Sequence, residues 1–117
     1  MSRLSLGGLL PWRSSCSKVN DTAQGLQGVM KEGGNARKAA AEETIRSVGG
    51  TVESFHFAFG DTDVFIIADM PDAAAAASVA LNVSAIGAVT VETVALLDAD
   101  EIDAATGADV SYRPPGA

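Results

Sequence analysis

Along residues 51 to 59 apolar and polar side chains alternate, with Phe55, Phe57 and Phe59 falling to one side and Ser54, His56 and Ala58 to the other. A period of two predicts a β-strand. Gly60-Asp61-Thr62-Asp63 has the composition of a turn, and DVFIIAD then resumes the alternation, with Val64, Ile66 and Ala68 opposed to Phe65 and Ile67. The pair predicts a β-hairpin. If Gly60 pairs with Asp63, Phe59 meets Val64 and Phe57 meets Ile66. Upstream the period lengthens. Thr22 is placed to cap a helix carrying Leu26, Val29 and Met30. Asn35 is placed to cap a second one, with Ala41, Ile45 and Val48 as its apolar stripe and Gly49-Gly50 as its stop. Downstream, Pro71 ends the hairpin and Asp72 caps an alanine-rich helix that Gly87 terminates. AVTVETVALL alternates as a last strand, and DADEIDAATG opens with Asp98 and Glu101 in the spacing of a capping box. The closing VSYRPPGA reads as extended chain.

From the second helix on, the order is α-β-β-α-β, which one initial strand completes to βαββαβ. That is the pattern of a ferredoxin-like α+β sandwich, an antiparallel sheet with helices on one face. The first strand is poorly specified: the candidates are CSKVND and LSLGGLL, whereas this topology places the strand at the centre of the sheet, where apolar residues belong. Both faces of the hairpin are apolar. Helices account for one of them, and Phe65 and Ile67 on the other call for a second sheet. The pattern therefore predicts a homodimer or larger even oligomer, of the dimeric α/β-barrel kind, with a pocket possible between sheet and partner.

The 117 residues suffice for one compact domain, and no apolar run is long enough to span a bilayer. The net charge of −7 is unevenly spread: residues 1–38 carry six Lys/Arg and two acids, residues 39–117 two Lys/Arg and thirteen acids. Such an acidic body repels phosphate backbones and anionic lipid, which argues against nucleic-acid and membrane partners. One cysteine, Cys16, permits no internal disulfide and no cysteine-based metal cluster. The opening MSRLSLGGLLPWRSSCSK imitates a signal peptide, but its apolar run is short and ends at Pro11, Trp12 and Arg13 with no Ala-x-Ala site after it. Together these predict a cytoplasmic protein.

Few residues suggest chemistry. Asp61 and Asp63 form a D-x-D that can ligate a hard cation or act as an acid–base pair, but Gly and Asp are also what tight turns select, and a metal site needs more oxygens. His56, the only histidine, is a candidate general base with Asp63 or Glu92, or a ligand-binding residue with Phe65 and Ile67 on the same face; a packed or interface role is the plainer reading. A lone histidine removes the usual metal arrangements, so no metal and no cofactor is expected. The ladder Phe55, Phe57 and Phe59 can line a ligand pocket or be buried under the helices. Tyr112-Arg113-Pro114-Pro115 has the look of a short proline-rich ligand, or of a tail packing on its own or a neighbouring subunit.

KEGGNARKAAAEETIRSVGGTVESFHFAFGDTDVFIIADMPD, with GAVTVETVALLDADEIDAA and VSYRPPG after it, resembles the GYD-domain family of small bacterial proteins, named for a Gly-Tyr-Asp signature. The similarity runs from about Thr22 to Gly116. Here the signature region is Gly60-Asp61-Thr62-Asp63, with Thr62 in the tyrosine position. The resemblance implies a ferredoxin-like, dimeric α/β-barrel fold and no particular activity. Family members begin with an apolar strand leading into Tyr-Thr-x-x-Gly, whereas this chain has SSCSKVN and then Asp21-Thr22-Ala23-Gln24-Gly25. The expectation is that an unrelated segment, from a misplaced start or a frameshift, stands where the first strand belongs. The chain accordingly divides into an atypical, disordered segment 1–18, a GYD-like domain 19–110 and a tail 111–117. Two functions fit. One is a self-associating small-molecule-binding or regulatory module. The alternative is a cofactor-independent dimeric-barrel enzyme, a monooxygenase or isomerase, using His56 and a carboxylate in an inter-sheet cavity.

Overall fold

A computed structural model describes residues 14–117; the candidate strand LSLGGLL and the signal-like opening lie outside them. The elements run β1 (Ser14–Asp21), α1 (Ala23–Glu32), α2 (Gly34–Ser47), β2 (Thr51–Phe57), β3 (Val64–Asp69), α3 (Ala73–Ile86), β4 (Val89–Leu96) and α4 (Ala99–Thr106). The sheet order is β2-β3-β1-β4, every neighbouring pair antiparallel. This is the ferredoxin-like arrangement that the element order implies.

The missing first strand is SSCSKVND. It begins at Ser14, five residues before the expected domain boundary at residue 19, and it occupies the centre of the sheet between β3 and β4. Its composition is polar, but a central strand is held by ladder bonds on both edges, and those are made by backbone whatever the side chains. The pairing puts Ser15, Ser17 and Val19 on one face with Ala68, Ile66 and Val64, and Cys16 and Lys18 on the other with Ile67 and Phe65.

The hairpin register differs from the expected one. Phe57 pairs with Val64 and Phe55 with Ile66, a shift of two residues, and a bulge lies between Val52 and Ser54. The cause is the connection, which is a six-residue loop, 58–63, rather than a two-residue turn. Asp63 is tied to β1: its N–H donates to the Val19 carbonyl (3.1 Å) and to Asn20 Oδ1 (3.0 Å), and its Oδ2 accepts the Asp21 N–H (2.9 Å). With the loop fastened to the neighbouring strand, Phe59 is carried past the end of β2 and stands fully exposed.

The helices start and stop largely where their caps predict. Thr22 and Asp72 accept from the N–H groups of Gly25 and Ala75, and Asp98 and Glu101 form the capping box of α4. Gly87 ends α3 in the left-handed conformation. The exception is α2, which is capped by Gly33 (φ 87°) rather than Asn35, so that Asn35 lies inside the helix. Ile45, Val64, Ile66, Ala68, Met70 and Ala76 make up the buried core between the sheet and the helices. Each larger member contributes about 1.5–3 kcal/mol by leaving water.

Two parts of the described chain are thinly covered. The sheet face away from the helices carries Phe65, Ile67, Val94 and Leu96, half-buried or exposed. α4 and the residues after it bear exposed Ile102, Val110 and Tyr112, Leu97 stands exposed just before it, and α4 has no substantial contact with another element among the described residues.

Candidate functional site: a cleft under the helices

On the helix side, small residues meet small residues. β1 offers Ser15 and Ser17 where a central strand ordinarily has large apolar side chains. α3 faces the sheet with Ala76, Val79, Ala80 and Val83, and α2 with Arg37, Ala40, Ala41 and Thr44. Layers spaced for ordinary side chains cannot be filled by serine and alanine. α2 leans on β2 and α1, α3 leans on β4, and the two helices part over the central strands. What remains is an open cleft of about 190 Å³ with a mostly apolar lining.

Its floor is Val19, Val64, Ile66 and Val91, and one wall is aromatic. Phe55 and Phe57 meet edge to face, ring centroids 5.2 Å apart at 76°. At the end of β3 where the core cluster closes, Gly50 brings the chain so near that a Cβ there would lie 2.7 Å from Met70 Sδ and 2.8 Å from Ile45 Cγ2. The opposite end, where β1 finishes, is polar: Asp21 and Arg37 line the cleft there. Burial first, then the neighbouring Asp63 carboxylate, push the Asp21 carboxyl above its ordinary value, while the Arg37 guanidinium pulls the other way. Arg37 also faces Glu32 at 3.6 Å.

Asp21 is held in place by its neighbour Thr22. The Thr22 N–H and hydroxyl both donate to the Ala88 carbonyl, at 3.0 and 2.8 Å, clamping the start of α1 onto the turn between α3 and β4. α1 passes so close that a Cβ on Gly25 would sit 2.1 Å from the Ala88 oxygen and 3.1 Å from Asp21 Oδ1. The Thr-x-x-Gly spacing is therefore a close-approach motif: a hydroxyl to bind the carbonyl, and three residues later no side chain to strike it.

The residues proposed from sequence lie elsewhere. His56, Phe65, Lys18 and Glu92 are consecutive partners in a row across the open sheet face. His56 and Glu92 thus stand three strand spacings apart, about 14 Å, and Glu92 pairs with Lys18 at 3.6 Å on the surface. Asp63 serves as the clamp between loop and β1, and Asp61 is exposed. The structure does not bring His56 and Glu92 together. His56, Phe65 and Ile67 do share the open face. Among the described residues no three His, Cys, Asp or Glu side chains gather as a metal would require.

Of the cleft itself, the sequence showed the phenylalanine ladder. It did not show Asp21, Arg37, Thr44 or the two valines of α3. The available signal was the coincidence of a serine-rich central strand with alanine-rich helices, which predicts unfilled volume once the topology is known.

The family pattern described as the GYD domain matches residues 17–106, from the middle of β1 to the end of α4. The chain belongs to the GYD-domain family. The GYD match begins five residues before Thr22, inside the polar strand β1, and stops before the SYRPPG tail. No curated protein and no solved structure matches the chain. In this GYD domain the signature loop Gly60-Asp61-Thr62-Asp63 is a structural fastening: Thr62 is buried and Asp63 stitches the loop to β1. Among the described residues no helix is long and apolar enough to cross a membrane.

Proposed function

We propose that this GYD-domain protein is a small-molecule-binding module that works as a homodimer, the ligand lying in the cleft under the helices and the two copies meeting through their open sheet faces. The cleft carries the reading. It is apolar on its floor and walls, polar at one end and open to solvent, the arrangement by which proteins hold small organic molecules. A void of this size costs stability, and an occupant offsets that cost.

Self-association rests on the other face. Phe65, Ile67, Val94 and Leu96 form an apolar surface around Cys16, which is itself buried. The body is acidic, which opposes self-contact, but this face sets Lys18 against Glu92. The Glu53 and Asp69 carboxylates, both reached by the Ser14 hydroxyl, lie at its rim, so the apolar middle of the face drives the contact and salt strengthens it. This face is also where His56 lies, so its role is in the subunit contact. A catalytic reading has less support, because Glu92 stands across the sheet from His56 and Asp63 is engaged in fastening its loop to β1.

Native mass spectrometry of the purified protein, compared with its denatured mass, tests both halves. A dimer retaining extra mass is expected. A bare monomer that takes up no small molecule would overturn the proposal.

A further inference from the structure

The cleft restricts what it can hold, and the restriction lies in its size and its polar end. A dry cavity of about 150 Å³ lined by aliphatic side chains accommodates benzene, and this one measures about 190 Å³. One six-membered ring with one small substituent fills it. The ring has matching surroundings: Phe55 and Phe57 on one side, and Val19, Ile66 and Val79 around the rest.

The substituent must suit the polar end, where an acceptor and a donor stand together. The Asp21 carboxyl offers oxygens, with the Asp63 carboxylate behind it, and the Arg37 guanidinium offers N–H groups. A carboxylate placed there gains Arg37 but lies against two acids. An ammonium gains the acids but lies against the guanidinium. A bare methyl displaces water from Asp21 and Arg37 and offers neither a hydrogen bond in return. A neutral hydroxyl satisfies the pair, donating to Asp21 and accepting from Arg37. Resting on the binding-module reading above, we infer that the cleft is a site for a neutral, one-ring hydroxylated molecule of the phenol class, its ring against Phe55 and Phe57 and its hydroxyl between Asp21 and Arg37.

Titrating the full-length protein at pH 7 with phenol, toluene, benzoate and benzylamine, followed by ligand-observed NMR, tests this. Phenol should bind about tenfold more tightly than toluene, the worth of its hydrogen bonds, and more tightly than either charged analogue. Asp21→Ala should weaken phenol and bind toluene at least as tightly as before, because the methyl group no longer lies against a carboxyl, so the preference for phenol narrows. Val79→Phe, which fills the cleft, should abolish binding of both; circular dichroism would show that each variant is folded. Equal binding of toluene and phenol would overturn the hydroxyl assignment and leave the cleft as a binding site. Preference for benzoate or benzylamine would overturn it in favour of a charged ligand. Binding that survives a folded Val79→Phe variant would place the ligand outside the cleft. Failure of all four probes to bind the folded protein would remove both this inference and the binding-module reading.

Discussion

Gly25 and Gly28 lie one turn apart on the same helix and do different things. A methyl group on Gly25 would meet the Ala88 carbonyl at 2.1 Å, whereas one on Gly28 meets nothing within 4 Å. Gly25→Ala should therefore lose roughly 2–3 kcal/mol by forcing α1 off the α3–β4 turn, while Gly28→Ala should gain about 0.5–1 kcal/mol by restricting the unfolded chain. Urea denaturation of the two variants measures both. Read in sequence, the two glycines merely weaken a helix. Asp21 is a second case. Burial, and then Asp63, hold its carboxyl above the ordinary value against the pull of Arg37, so the native state binds this proton more tightly than the unfolded chain does. The stabilisation from protonated Asp21 is complete below the unfolded value and is lost as pH rises through the raised native one. Asp21→Asn should accordingly raise the melting temperature near neutral pH, and the gain should disappear in acid. Thermal melts of both proteins at pH 3 and pH 7 check the sign.

At the scale of elements, the decisive one is β1. Its alternation of Ser15, Ser17 and Val19 with Cys16 and Lys18 is a weak strand signal, because nothing large and apolar marks the buried face. Its place is set by pairing instead: β3 on one side, β4 on the other, and the Asp63 fastening at its end. The helices and the other strands were legible because caps, glycines and periodicity mark them locally. The hairpin register was legible only modulo two, since alternation fixes which side a residue faces and leaves its partner free. Ser17→Val puts a β-branched group into the empty space under the helices. It should add about 1 kcal/mol of stability while weakening phenol binding, because the same volume cannot serve both. Denaturation and titration on one sample would show this trade; stabilisation with unchanged binding would mean that Ser17 does not border the ligand.

For the whole molecule, the open sheet face and the exposed residues of α4 and the tail leave much apolar surface to solvent in a single copy. Ile67 sits in the middle of that face, between Ser54 on β2 and Cys16 on β1. In the homodimer proposed above, Ile67→Asp should shift the equilibrium to monomer, weakening association at least about 30-fold, the effect of losing a central interface residue, with the cleft on the far face still able to bind phenol. Sedimentation velocity across a dilution series measures the first effect and the phenol titration the second. The sequence by itself determined the α-β-β-α-β run that follows the first strand, most of the caps, the side to which each strand phenylalanine turns and the two-sided apolar character of the hairpin, because these depend on residues within a few positions of one another. Tertiary structure alone decided that a serine-rich segment is the central strand, that His56 and Glu92 stand strands apart, and that Asp21 and Arg37 share the mouth of a cleft. Each of these depends on which distant segments become neighbours and on how much volume their side chains leave between them, and neither quantity is written in local periodicity.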